Sequence, residues 1–510
     1  MSECSNVNTN FLFFFTYRCS VNICCCRLLY EVMSKPVTYS KSLSTGSFEC
    51  VEIPENPLQD VFEYKPRKQS SYEIITNDIN NKFEEETCKH EKPCFIPLSA
   101  KKLKSLFNAD GVVNESALRE AVFNGGCEPN TRKVVWSLLF ELYPMTSTFK
   151  EQELIKISNN FRYYALKKKC FEQLCASYFQ EPEDESNHFS WVEGNHQDIK
   201  DYANMSQEEF KKQKLEAEDF AKEQTVDLAT VEDWYKVITK DIPRTDIDHP
   251  YFHQSREKCL AKMQSILVVF GFFHPKIGYV QGMNDILTRF MIVLDSEVDA
   301  YWCFSRYMES VEKDFDEDGM IEKIELVCKL LQDLEPNLYS HFQNCSVPDL
   351  VFCHRWLLVS FKREFDYEES IRYFEIVHSR HLKFDSAAVQ ITQADQYRQE
   401  IEKRQGTPIK KVINNTNAKF TLDVFVCVSV IMLKRQEFLA CKDAAEVFNI
   451  ACNIRGTLNL QHVHEKANAL FFRYCRKCIK DQYTNENDGV LQSLAKSLRE
   501  KLLNANVFQR

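Results

Sequence analysis

The sequence predicts an all-α fold, and three observations carry that expectation. There are only 12 glycines and 15 prolines in 510 residues, where average usage of about 7% and 5% would supply roughly 60 together. An all-β chain spends such residues on turns every few positions, so their scarcity favours long helices. Apolar residues recur at helical spacing, as in Val135, Trp136, Leu139 and Leu142, and again in Val231, Trp234, Tyr235 and Ile238. Helix stops punctuate these runs, among them Gly125-Gly126, Pro243 and Pro275.

A content of 44% apolar residues, with 38 Phe, 21 Tyr and 5 Trp, provides for a large core and excludes a globally disordered chain. Lys and Arg number 64 against 74 Asp and Glu, a net charge of −10, which argues against a nucleic-acid binder working through a broad basic face. The longest apolar run, Val424 to Leu433, is about half the 18 or so residues of a membrane span. The 21 cysteines are scattered through apolar segments, the pattern of reduced, buried thiols in a cytosolic protein rather than a disulfide framework.

Residues 1–96 read as a mostly irregular N-terminal extension. The block Phe11 to Tyr17 precedes Arg18, Cys24, Cys25, Cys26 and Arg27; a signal peptide needs the opposite order of charge and apolar block. Cys24 to Cys26 are candidates for acylation, the alternative being a poorly ordered extension with Met33 as a second start. Two strings farther on, Phe48 to Val51 and Tyr72 to Ile75, resemble the short motif that autophagy adaptors read by strand addition. They make weak peptide-motif contacts through the extension a reading to keep.

The helical domain is expected over 97–475. Ser116 to Phe123 forms an amphipathic turn, Arg132 to Tyr143 carries the Val135–Trp136–Leu139–Leu142 face, and a charged helix runs from about Glu151 to Phe179. A charged insertion over about 180–222 combines Glu181, Glu183, Asp184 and Glu185 with Lys211, Lys212 and Lys214, read as solvated with some i,i+4 pairing. A second, polar insertion over about 385–419 lacks an apolar stripe and reads as disordered. Between them the Val231–Ile238 helix loosens before Pro243, so Arg244 emerges past a helix end. Met263 to Phe273 is an apolar helix closed by Gly271 and Pro275, and Gly278-Tyr279-Val280-Gln281-Gly282 is a tight connection before a helix from Met283. Gln281 therefore lies on a loop or first turn, amid free backbone donors. Residues 476–510 read as a C-terminal tail.

Ordinary catalytic patterns are absent: no Gly-rich loop ending in Gly-Lys-Ser/Thr, no Gly-x-Ser-x-Gly, no His-Glu-x-x-His. No nucleotide, metal or cofactor of its own is expected. The metal case rests on His462-Val463-His464 and Cys475-Arg476-Lys477-Cys478, but an amphipathic helix through Leu458, Val463, Leu470 and Phe471 would not let four ligands converge. A sharper signal is a pair of polar strings in apolar surroundings. Ile238-Thr239-Lys240-Asp241-Ile242-Pro243-Arg244 offers an arginine with an acid three residues before it; Tyr279-Val280-Gln281-Gly282 offers an amide beside a glycine. Phosphoryl transfer needs a cation for charge growing on phosphate oxygens and a group that holds the attacking water in line. Arginine and glutamine suit those tasks. Taken singly, each has an ordinary reading too, as an exposed ion pair with Asp241 and a helix-start cap.

The order of these strings resembles the TBC domain of Rab GTPase-activating proteins. Arg132 to Trp136 matches its Arg-x-x-x-Trp; Ile238, Asp241 and Arg244 match Ile-x-x-Asp-x-x-Arg; Tyr279 to Gly282 match Tyr-x-Gln-Gly. Met283-Asn284-Asp285, Tyr301 to Phe304, Arg355 to Leu358 and Lys362 to Phe365 add supporting similarity, so the likeness covers roughly residues 97–475. It implies a two-lobed helical domain that docks a GTP-bound Rab protein, with Arg244 as arginine finger and Gln281 as glutamine finger. Asp241 would orient Arg244; Tyr279 and Gly282 would set the backbone at Gln281; Ile238, Asn284 and Asp285 would support the site or the partner contact; Arg132 and Trp136 would hold the lobes. GTP and Mg would belong to the Rab, membrane contact would come through it, and the chain would be a cytoplasmic activator with no turnover of its own. One departure is Phe374-Glu375 where the family often has Trp-Glu, a change that keeps the aromatic. The competing readings are a scaffold binding Rab or autophagy proteins without accelerating hydrolysis, and a structural helical protein with a metal-tied C-terminal end.

Overall fold

The computed structural model describes residues 95–178, 205–226, 228, 231–253, 255–381 and 421–485. The N-terminal motif strings, the acidic run at Glu181 to Glu185, the polar insertion 385–419 and the tail beyond 485 lie outside the described residues. Among the described residues the fold is all-α, with isolated bridges Leu98–Cys127 and Phe107–Val113 in place of any strand. No helix among them is long and apolar enough to cross a membrane.

The first core is built by helices α1 (Ala100–Ser105), α2 (Glu115–Phe123), α3 (Pro129–Leu139), α4 (Phe149–Tyr178), α5 (Gln207–Glu223), α6 (Val231–Asp241), the one-turn α7 (Pro250–His253), α8 (Arg256–Phe273), α9 (Met283–Leu294) and α10 (Glu297–Ser310). Their starts follow local rules. The side chains of Ser99, Asn114, Ser206 and Ser296 cap α1, α2, α5 and α10 by accepting from backbone N–H groups, and Pro129 takes the first turn of α3, where its missing N–H costs nothing. Gly125 and Gly126 follow α2, and Gly126, at φ 75, takes the left-handed conformation common at helix ends. Val135, Trp136, Leu139 and Leu142 are all buried, as their spacing requires. Trp136 packs on Phe290 with ring centroids 5.2 Å apart, and Phe140 stacks on Phe374 at 5.4 Å.

Two elements differ from the sequence reading. Gly271 does not close the apolar helix but lies inside α8, which begins at Arg256, where a Cβ would meet the Trp234 ring at ordinary contact distance, 3.4 Å. The C-terminal part of the charged stretch is helix α5, which lies on α4 through Ala217, Phe220 and Ala221. Its exposed face does carry the Lys212–Glu216 and Lys222–Asp219 pairs. Small residues make a narrow apolar stripe, which is why the charges dominated the pattern.

The second core gathers α11 (Glu317–Leu334), α12 (Pro336–Asn344), α13 (Cys353–Leu358), α14 (Tyr367–His378), α15 (Leu422–Leu433), α16 (Arg435–Ala440), α17 (Ala444–Cys452) and α18 (Leu460–Asn485). The apolar run predicted to be too short for a membrane is α15, buried along nearly its whole length. Helix α18 continues past residue 475 to Asn485. Helix α14 belongs to both cores: Ile371 and Phe374 point into the first, Tyr373 and Ile376 into the second. Each pair is three residues apart and the pairs lie on opposite sides of a 3.6-residue turn, so one helix joins the two.

Candidate functional site

Helix α6 stops at Asp241, and Ile242–Arg244 forms a single 3₁₀ turn with Pro243 at its start. Proline cannot donate to a continuing α-helix, so the chain turns away there. Arg244 ends that turn with 58% of its side chain exposed, while Asp241 is buried. The guanidinium donates through Nε to Asp241 Oδ1 at 3.1 Å and through Nη2 to the same oxygen. Among the described residues its Nη1 meets no acceptor.

The other oxygen of Asp241 is taken by Tyr279, whose hydroxyl donates to Oδ2 at 2.8 Å and lies 3.1 Å from Asn284 Oδ1. Burial, reinforced by the Asp241 charge, pushes the Tyr279 phenol far up, so it stays a donor. Asn284 Oδ1 also accepts from the Gly282 backbone N–H at 3.0 Å, and its amide donates to Thr245 Oγ1 at 2.9 Å. Thr245 Oγ1 in turn donates to the Asp241 carbonyl at 2.7 Å. A closed set of buried hydrogen bonds thus ties the turn bearing Arg244 to the turn bearing Gln281. Gln281 is exposed, and among the described residues its carboxamide meets no partner.

Gly282 makes that second turn. Its φ of 110 is a conformation that side chains rarely adopt, and a Cβ there would lie 3.4 Å from Val359 Cγ1 and 3.5 Å from Leu358 Cδ2. Helix α9 starts immediately after it. Asn284 and Asp285, in the first turn of α9, are buried and bonded inward, as are Ile238 and Tyr279 by packing. Asp285 accepts from Arg363 Nη2 at 2.6 Å and Lys362 Nζ at 3.1 Å. Burial alone would raise its carboxyl, but the two cations outweigh it and hold the group below the ordinary carboxylate range.

Arg132 and Trp136 stand at a different junction. Trp136 Nε1 and Arg132 Nε both donate to Glu375 Oε1 at 2.9 Å, and the Cys127 backbone N–H donates to Glu375 Oε2 at 2.8 Å. Arg132 also binds both oxygens of Glu368, one of them at 3.0 Å, and the Cys127 carbonyl at 3.3 Å. Burial pushes the Glu375 carboxyl up to about 7 against the opposing pull of Arg132, Trp136 and the Cys127 amide. Phe374, in the place of the family's tryptophan, fills the first core beside Trp136 at 5.5 Å.

Nothing in these networks suits a metal. Among the described residues no group of three or more His, Cys, Asp or Glu side chains is arranged to hold one. His462, His464, Cys475 and Cys478 fall along the single helix α18 with no turn between the pairs. His464 sits 4.6 Å from the Phe123 ring and 5.3 Å from Phe95, and burial pushes its imidazole down to about 4. It is a neutral core histidine. Sequence reasoning assigned no site role to Thr245 or Lys362; each bonds a residue 39 or more positions away, Asn284 for Thr245 and Asp285 and Asp246 for Lys362, so no periodic signal marks the role.

One buried hydrogen-bonded set thus carries an exposed arginine and an exposed amide on adjoining turns of a helical domain. Residues 129–401 match the family model described as the Rab-GTPase-TBC domain, and the chain belongs to that family. The chain is 29% identical over 315 residues to GTPase-activating protein GYP7 of Candida glabrata, covering 59% of this chain and 38% of the relative. It is 28% identical to human TBC1 domain family member 25 over 292 residues (56% and 35% coverage) and 32% identical to human TBC1 domain family member 17 over 192 residues (37% and 30%). The chain therefore spans well under half the length of the curated relatives it matches. The crystal structure of the Ypt/Rab-GAP domain of Gyp1p aligns with a TM-score of 0.49 and 17% identity, covering 74% of this chain and 97% of that one.

Proposed function

We propose that this chain is a GTPase-activating protein for a Rab-family small GTPase, and that it acts by lending Arg244 and Gln281 to the partner's active site. One observation carries the reading: among the described residues the Arg244 side chain bonds a single buried oxygen of Asp241, so its planar fork is aimed and still has donors to offer. In the GTP-bound Rab, Arg244 would meet the oxygens on which charge grows as the γ-phosphoryl bond breaks. A cation placed so is worth about 10³ to 10⁵ in rate.

Gln281 would hold the attacking water, its carboxamide oxygen accepting a hydrogen bond from that water while its NH₂ donates to a phosphate oxygen. Asp241 and Tyr279 orient the arginine, and Gly282 with Asn284 fixes the turn beneath the glutamine. GTP and Mg²⁺ come with the Rab, which also brings the membrane to an otherwise cytoplasmic protein. The family description supports the partner class and the name carried by GYP7 supports the activating role; the choice of Arg244 and Gln281 rests on the geometry and the motif match.

The test is single-turnover hydrolysis across a panel of GTP-loaded Rab proteins. At least one Rab should be strongly stimulated, and on that Rab Arg244→Ala should lose about 10³-fold or more and Gln281→Ala on the order of 10²-fold, both variants staying folded. Nucleotide-dependent binding to a Rab with no stimulation anywhere in the panel would establish the scaffold reading in its place.

A further inference from the structure

A second buried polar cluster adjoins the two finger turns without sharing a bond with the Asp241–Tyr279 set. Its centre is Lys362, with 4% of its side chain exposed. The ammonium meets one acceptor for each of its three hydrogens: Asp246 Oδ2 at 2.6 Å, Thr288 Oγ1 at 2.8 Å and Asp285 Oδ1 at 3.1 Å. Asp246 lies two residues past Arg244, and Asp285 four past Gln281. Arg363 takes the remaining oxygen of Asp285, so two cations balance two carboxylates.

The segment that delivers Lys362 comes from the second core. Phe361 packs 5.7 Å from Trp356 there, and Ser360 and Phe361 adopt φ 49 and φ 52 in succession. Fully buried Arg289, on α9, donates Nη2 to the carbonyls of Val359 at 3.2 Å and Ser360 at 2.9 Å. Leu358 and Val359 are also the wall against which Gly282 turns. One short stretch, 358–363, therefore backs the glutamine turn and grips the residue that follows the arginine turn. Asp246 itself has a left-handed φ of 42, a strained conformation that persists only where surrounding contacts hold it.

We propose that Lys362 is a positioning residue for the activating reaction: it fixes the spacing between Arg244 and Gln281 by clamping Asp246 to Asp285, which makes finger geometry a property of the second core. This rests on the finger reading above. Removing the ammonium leaves Asp246 and Asp285 facing each other with Arg363 alone to offset them, so the Arg244 turn shifts. A shift of about 1 Å at a reacting group costs on the order of 10² in rate.

The experiment uses the full chain and a GTP-loaded Rab that it stimulates, measuring the single-turnover rate at saturation and the half-saturating concentration separately. Circular dichroism melting fixes a temperature at which every variant is folded. Lys362→Met should lower the saturated rate by about 10²-fold while the half-saturating concentration moves less than about threefold, because docking energy is not what the clamp supplies. Asp246→Asn should lower the saturated rate by about tenfold, and the double variant should be no slower than Lys362→Met alone, since both break one device. A merely structural lysine would leave the saturated rate unchanged below the melting range.

Arg244→Ala, run alongside, separates the failures. If it abolishes stimulation while Lys362→Met keeps the wild-type saturated rate, the clamp is wrong and the fingers stand. If the Lys362 and Asp246 effects simply multiply, the clamp is likewise wrong. Should Arg244→Ala retain full stimulation, the finger assignment fails and the clamp with it. Where Lys362→Met does not fold, Asp246→Asn decides alone: a wild-type saturated rate overturns the proposal.

Discussion

Arg132 and Arg244 are bound to buried acids in much the same way, and they differ in what remains of them. Arg132 is 7% exposed and spends Nε, Nη1 and Nη2 on Glu375, Glu368 and the Cys127 carbonyl. Arg244 is 58% exposed and spends Nε and Nη2 on one oxygen of Asp241. The guanidinium has five N–H donors in a rigid fork. When all its edges are used inside the fold, the residue is a joint; when one edge is used to aim it, the rest can meet a new acceptor. The two family motifs thus leave the same side chain in opposite states, and the difference is countable in hydrogen bonds.

The comparison breaks most visibly at the joint. Arg132→Met strands Glu375 in the interior, and removing one partner of a buried pair costs about 3 to 5 kcal/mol. Glu375 already lies above its ordinary value, at about 7, and without Arg132 it rises further. A carboxyl whose folded pKa exceeds its unfolded one loses stability as pH rises between the two, so the deficit should be larger at pH 8 than at pH 5. Urea melts at the two pH values read this directly; equal deficits would mean Arg132 acts by packing alone.

Tyr279→Phe probes the aimed arginine more gently. It leaves Asp241 Oδ2 buried without its donor, a loss of about 1 to 3 kcal/mol, and frees Asp241 to swing. Stability should fall modestly while stimulated hydrolysis falls with it; unchanged hydrolysis would show that Asp241 needs no second anchor to aim Arg244.

How much of this was legible in the chain depends on the reach of each signal. Val135, Trp136, Leu139 and Leu142, and the Val231 to Ile238 run, announce their helices because a buried face repeats within a few residues. Asp241, Arg244 and Gln281 stand out as polar residues in apolar surroundings. What holds them is harder to read. Thr245 and Lys362 reach partners 39 to 116 residues away, and one buried polar atom leaves no periodic trace. Gly271 misled because a glycine near a helix end reads as a stop, while here it packs inside α8 against Trp234. The paired histidines are read correctly as poor ligands, since two positions apart on a helix they face different ways, His462 exposed and His464 buried.

His464 supplies the smallest effect. Its imidazole is held at about 4 from an ordinary 6.5, so its contribution is fully present above 6.5 and is lost as the unfolded state takes up a proton below it. The change should stay under about 1 kcal/mol between pH 7 and 6, and His464→Phe should flatten it. A variant with the same pH slope as the wild type would place the titration elsewhere, as at His378, which burial depresses to about 3.

The central claim is that the exposed edge of Arg244 is chemistry and not surface charge, and Arg244→Lys tests it most directly. Lysine keeps the charge and gives up the planar fork. With a responsive GTP-loaded Rab at saturating protein, the account predicts that Arg244→Lys loses nearly as much single-turnover rate as Arg244→Ala, with melting unchanged. A lysine variant as fast as the wild type would contradict it.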